Sequence, residues 1–196
     1  VTIILIKLIG NEKYGCLVIG QTYMTIIDII INVQSWKGVI QFGQKSLVEK
    51  NEKALGKYIQ IGSILDVSTA ILCGIIALIL APVIGGWLKW SQETIICAQI
   101  LSVEIFSHLS GTSTAILRIL NKFNLVALQK FLTAIVKISI LLILLIKGGT
   151  ISLVTATIAY ASADIFGNIL LVFLAFSSYI KKYGKRNLIN NNEKID

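Results

Sequence analysis

Long apolar runs, separated by short clusters of lysine, glycine and asparagine, set the pattern of this chain. Residues 1–9 are already mostly apolar, yet at 1.5 Å per helical residue they reach only about 14 Å, half of a bilayer core or less. Five longer apolar segments follow, at 14–43, 59–88, 94–117, 123–146 and 149–180. The stretch 67–88 carries no charge at all, and 138–146 is almost wholly aliphatic. An open strand would leave backbone groups unpaired in hydrocarbon, so each segment is expected to be helical. The alternation of a membrane barrel is absent. The pattern predicts an all-α polytopic membrane helix bundle of about six transmembrane helices over residues 1–180. A basic, Asn-rich tail at 181–196 would follow as a cytoplasmic linker or end. Because the sequence opens at Val1, already apolar, the first helix is expected to be truncated. The basic start and small-residue cleavage site of a signal peptide are not seen there.

Composition agrees with lipid as the solvent. Of 196 residues, 55% are apolar and 14% charged, and the mean hydropathy is +0.81. Soluble domains run at about 45–50% apolar and about 25% charged. The net charge of +8 does not point to nucleic acid, because the basic residues sit between apolar runs rather than along one face. Eleven of the 18 lie in 44–58, in 118–122 and in the tail, against Lys13, Lys89 and Lys147 in the alternate turns. That bias places the 44–58 loop and the tail on the cytoplasmic side. Cys16, Cys73 and Cys97 lack metal or disulfide spacing and read as small buried hydrophobes.

Ionisable residues inside the spans carry the chemistry: Lys7, Asp28, Lys37, Asp66, Glu104, His108, Lys137 and Asp164. Each costs about 2.5–3.5 kcal/mol at a helix centre, so they are expected to face one another or a wet cavity. A transport path fits that density better than an anchor does. Lys7, Lys37 and Lys137 sharing one cavity would attract an anion such as a lipid-linked diphosphate. Asp28, Glu104, His108 and Asp164 are candidates for ion coupling. They also admit a plainer role as buried ion pairs, Asp28 with Lys37 or Glu104 with Lys137. Glu104 and His108 are four apart, a spacing suited to a proton relay; with no third ligand in sight, no metal site is expected. Asp66 and Arg118 lie where headgroups would meet a helix end. The run Ser110-Gly111-Thr112-Ser113-Thr114-Ala115 should let a neighbouring helix approach closely.

Several local patterns resemble one family. Lys7-Leu8-Ile9-Gly10 with Tyr14-Gly15, the stretch 32–43, Leu65-Asp66 with Ser68 and Ala70, and Gly111 through Ala115-Ile116-Leu117-Arg118 to Phe123 and Leu125 carry it. They are similar to segments of the Wzx-type polysaccharide and O-antigen flippases of the multidrug/oligosaccharidyl-lipid/polysaccharide exporter superfamily. The resemblance implies a two-lobed transporter in the bacterial inner membrane, of which this chain would be the amino-terminal lobe. The implied substrate is an undecaprenyl-diphosphate-linked oligosaccharide, moved from the cytoplasmic to the periplasmic leaflet. Implied partners are that substrate, membrane lipids, the missing carboxy-terminal lobe and the polysaccharide polymerase machinery. No cofactor, no nucleic acid and no enzymatic step is implied. The family usually has arginine where this chain has Lys7, and lysine does not grip a diphosphate bidentately.

Two other readings stay open. A multidrug exporter of the same superfamily would use Asp28, Glu104 and Asp164 for cationic drugs. An integral-membrane enzyme of lipid-linked sugar metabolism needs a clustered catalytic pair, which the sequence does not display.

Overall fold

The computed structural model describes residues 1–32, 35–147 and 151–184. These form eight helices: α1 (Thr2–Ile9), α2 (Asn11–Ile31), α3 (Trp36–Val48), α4 (Glu52–Trp87), α5 (Gln92–Ile105), α6 (Ser110–Ile119), α7 (Phe123–Ile146) and α8 (Leu153–Tyr183). No strand occurs among the described residues. The chain is therefore the all-α polytopic bundle that the pattern predicts. Four helices, α2, α4, α7 and α8, are long and apolar enough to cross a membrane, and α5 with α6 makes a fifth span bent by 41°.

Local chemistry fixes the ends. Asn51, Ser91 and Ser152 cap α4, α5 and α8 by accepting from the backbone N–H three residues on, at 2.9, 3.2 and 3.1 Å. At the other ends, α3, α4 and α6 close alike. Lys50, Lys89 and Asn121 turn left-handed (φ 55–56°). The next N–H then reaches back five residues, at 2.8–2.9 Å.

Two predicted spans need correction. The segment 14–43 is two helices, because the backbone leaves the helix at Asn32 (φ −70°, ψ 116°) and α3 restarts only after Ser35. The polar run at 32–35 supplies poor helix formers where the helix breaks; residues 33–34 lie outside the described region. The segment 94–117 is likewise interrupted at 106–109, ahead of the Ser- and Thr-rich start of α6. Of the expected tail, Lys181 and Lys182 belong to the last turn of α8. Residues 185–196 lie outside the described region.

The core is layered along the helix axes. At one end, Leu8, Leu17, Leu101, Leu141, Leu153 and Ala156 pack together from α1, α2, α5, α7 and α8. At the other, Val39, Leu55, Ile59, Ile116, Leu171 and Tyr179 join α3, α4, α6 and α8. A third cluster, with Tyr23, Cys73, Ala77 and Ile105, seals α2 against α4 and α5. Between the two end layers α7 and α8 turn polar. Along α8 the order is Leu153 and Ala156, then Asp164 and Asn168, then Leu171 and Tyr179. Along antiparallel α7 it is Val126, then Gln129, Thr133 and Lys137, then Leu141. Close helix approach permits this layering: a Cβ on Gly62 of α4 would collide with Val39 of α3 and Thr112 of α6.

Candidate functional site

The polar level opens into a cleft of about 750 Å³, walled by α7 and α8 with contributions from α1, α2, α3 and α6. Four charged side chains line it: Arg118, Lys130, Lys137 and Asp164. Around them stand the carboxamides Gln21, Gln129 and Asn168, the aromatics Tyr14, Trp36 and Tyr160, and the hydroxyls of Ser110, Thr114 and Thr133. Helical spacing explains the wall. Gln129, Thr133 and Lys137 recur every fourth residue on α7, and Tyr160, Asp164 and Asn168 do so on α8, so each set forms one polar stripe on an otherwise apolar helix.

Lys137 and Asp164 are paired across that gap. The ammonium lies 2.6 Å from Asp164 Oδ2 and 3.5 Å from the centre of the Tyr160 ring. With side-chain exposures of 10% and 23%, the charges compensate each other rather than facing outward. Lower on the wall, the Gln129 amide donates to the Gly167 carbonyl at 2.9 Å and so ties α7 to α8. Arg118 is exposed and lies 5.4 Å from the Trp36 ring. A stacked guanidinium keeps its in-plane N–H donors free for a bidentate acceptor.

A second polar group, half-buried, stands apart from the cleft lining. His108, in the break between α5 and α6, places Nδ1 3.2 Å from Asp28 Oδ2 and Nε2 3.6 Å from Glu104 Oε1. Glu104 is nearly sealed, and its Oε2 has no hydrogen-bond partner. One bridge connects the two groups: Asn168, a cleft residue, donates to the Ser107 hydroxyl at 2.9 Å, and Ser107 donates to the Glu104 carbonyl at 2.7 Å.

The candidates from sequence are thus divided. Lys137 and Asp164 line the cleft together; Asp28, Glu104 and His108 form the half-buried cluster. Neither proposed pairing, Asp28 with Lys37 or Glu104 with Lys137, is present; His108 and Asp164 are the partners instead. Lys7 and Lys37 are exposed and do not line the cleft, so the expected cavity shared by three lysines is corrected. The reason is angular. Lys7 follows the buried Leu5 by two residues, about 200° around the helix, and Lys37 is turned about 100° from Trp36, which does face the cleft. Asp66 is buried within the bundle, and no group of three or more His, Cys, Asp or Glu suited to a metal occurs among the described residues. The small-residue run serves both uses: Thr112, Ser113 and Ala115 are packed, while Ser110, Gly111 and Thr114 line the cleft.

Lys130 is a lining cation that sequence reasoning passed over, and Arg118 is one that it placed only at a helix end beside headgroups. Lys130 lies one residue from Gln129 and seven from Lys137, on the rim of the same stripe, and that spacing was the available signal. The cations left without an acid partner in the cleft are these two.

No family model matches the chain, and no solved structure matches it. Over 117 residues, 60% of its length, the chain is 28% identical to the protein named Inner membrane protein YghQ of Escherichia coli, and the match covers 33% of that relative. The chain thus spans about a third of the curated relative's length.

Proposed function

We propose that this chain is one lobe of a flippase that carries an undecaprenyl-diphosphate-linked oligosaccharide from the cytoplasmic to the periplasmic leaflet of the bacterial inner membrane. The cleft carries this reading. A diphosphate needs cations with free N–H donors, and Arg118 and Lys130 supply them. Sugars need flat apolar faces next to amide and hydroxyl groups, and Tyr14, Trp36, Gln21 and Asn168 have that chemistry. A polar cleft of this size does not face acyl tails, so a second helical bundle is the proposed other wall, with alternating access arising from rocking between the two. Transport fits the pairing of Lys137 with Asp164, which leaves Arg118 and Lys130 as the cleft cations open to a cargo.

Asp164, the acid lining the cleft, is already answered by Lys137, which weighs against a binding site for cationic drugs. The match to an inner membrane protein supports the location and leaves the cargo to experiment.

The test is translocation of a fluorescent lipid-diphosphate saccharide in proteoliposomes containing the full-length protein. Replacing Arg118 or Lys130 with alanine should each weaken apparent affinity about tenfold, the worth of one charge-assisted hydrogen bond. Replacing Lys7 or Lys37 should leave it unchanged. Equal transport by the Arg118→Ala/Lys130→Ala protein would remove the anionic-substrate reading.

A further inference from the structure

Two helix pairs, α2–α3 and α5–α6, are separated by short breaks, and the second helix of each begins beside the same carboxylate. Asp66, in the interior of the unbroken helix α4, is 6% exposed. Its Oδ2 accepts from the backbone N–H of Thr112 at 2.6 Å. Its Oδ1 accepts from the Ser35 hydroxyl. Ser35 is the residue that opens α3, and Thr112 is in the first turn of α6. Leu109, at the head of α6, provides no side-chain cap of its own. A helix start leaves N–H groups unsatisfied and presents the positive end of its dipole. One buried acid therefore caps a backbone N–H of α6 and holds α3 through the Ser35 hydroxyl. The fit is close: a Cβ on Gly111 would lie 3.0 and 3.1 Å from the Asp66 oxygens, so glycine there lets the carboxylate sit against the helix end.

What these two starts hold is one wall of the cleft. Trp36 is the first residue of α3, and α6 delivers Ser110, Thr114 and Arg118. The Arg118 guanidinium reaches the Trp36 ring across the α3–α6 contact. Asp66 itself does not line the cleft. The geometry points to Asp66 as a positioning residue: by pinning α3 to α6 from behind, it sets the Trp36–Arg118 register that receives an anionic headgroup. This role rests on reading the cleft as the substrate site.

The test compares binding of geranylgeranyl diphosphate and of geranylgeraniol to the purified full-length protein in detergent, by calorimetry. Asp66→Asn keeps the shape, removes the charge and leaves one oxygen for two donors. Diphosphate affinity should fall about tenfold, as for one charged hydrogen bond lost, with alcohol binding unchanged. Adding Leu109→Asn, which supplies a cap to α6 within its own chain segment, should restore part of the loss. If Asp66→Asn cannot be purified, Ser35→Ala decides, since it removes only the α3 donor and should weaken the diphosphate selectively. The proposal is overturned if the deciding variant binds both probes like the parent, or loses both equally, while Arg118→Ala still loses the diphosphate. If Arg118→Ala also binds the diphosphate normally, the reading of the cleft fails first, and this role goes with it.

Discussion

Lys137 Nζ and Asp164 Oδ2 stand 2.6 Å apart across the α7–α8 seam, with the Tyr160 ring against the ammonium. Taking one charge away strands the other at a depth where water reaches it poorly. Lys137→Met or Asp164→Asn alone should therefore lower stability by roughly 2–3 kcal/mol, somewhat less than for a sealed pair because Asp164 keeps partial access to the cleft. The double variant removes both charges and should recover most of that loss. Thermal unfolding in detergent reads all three. If the double variant is as unstable as the worse single one, the two groups are not coupled as the distance indicates.

The half-buried cluster predicts an order of severity. His108 lies between Asp28 and Glu104, so His108→Leu leaves two acids without their shared donor and should cost about 3–5 kcal/mol. Asp28→Asn keeps an acceptor for the ring and should cost about 1–2 kcal/mol. Unfolding midpoints of the two variants, measured side by side, check the order, and a reversal would place the ring outside the network.

Packing across the helix breaks has its own test. Gly62 faces Val39 and Thr112 with no room for a methyl group. Gly62→Ala should cost about 1–3 kcal/mol through overpacking, although alanine is the better helix former by about 1 kcal/mol. A neutral or stabilising substitution, seen by thermal unfolding, would mean that α3 and α6 are free to retreat from α4.

Helix content was legible from the sequence, because hydrocarbon allows only backbone-satisfied helices; against about six expected spans, four helices and one bent pair are long and apolar enough to cross a membrane. The helix breaks were not legible. Residues 32–35 and 106–109 sit inside runs whose average hydropathy hides a few polar positions, and an interruption of four residues scarcely changes a window of helical length. Partners were harder still. The sequence identified Asp28, Glu104, His108, Lys137 and Asp164 as the groups that must avoid lipid, but which acid meets which cation depends on helix order and rotation. Lys7 and Lys37 show that limit most plainly. Each belongs to a segment that contributes to the cleft wall, yet a rotation of about 100° or 200° carries its ammonium away. The role of Asp66 was not legible, because nothing in its own helix announces the two helix starts that converge on it.

Orientation in the membrane is the last consequence that one measurement decides. Residues 44–58, 118–122 and 181–196 hold eleven basic residues, against Lys13, Lys89 and Lys147 near the opposite helix ends. Such a bias puts the first group in the cytoplasm. Val48, at the end of α3, and Gln92, at the start of α5, are both exposed and flank opposite ends of α4. After Cys16, Cys73 and Cys97 are replaced by alanine, Gln92→Cys in intact cells should react with a membrane-impermeant maleimide. Val48→Cys should react only in inverted vesicles. The Arg118 end of the cleft lies in the same end layer as Val39 and Leu55, so this labelling pattern would place its anion-binding side toward the leaflet where a lipid-linked cargo is loaded. The opposite pattern would turn the cleft over and contradict export.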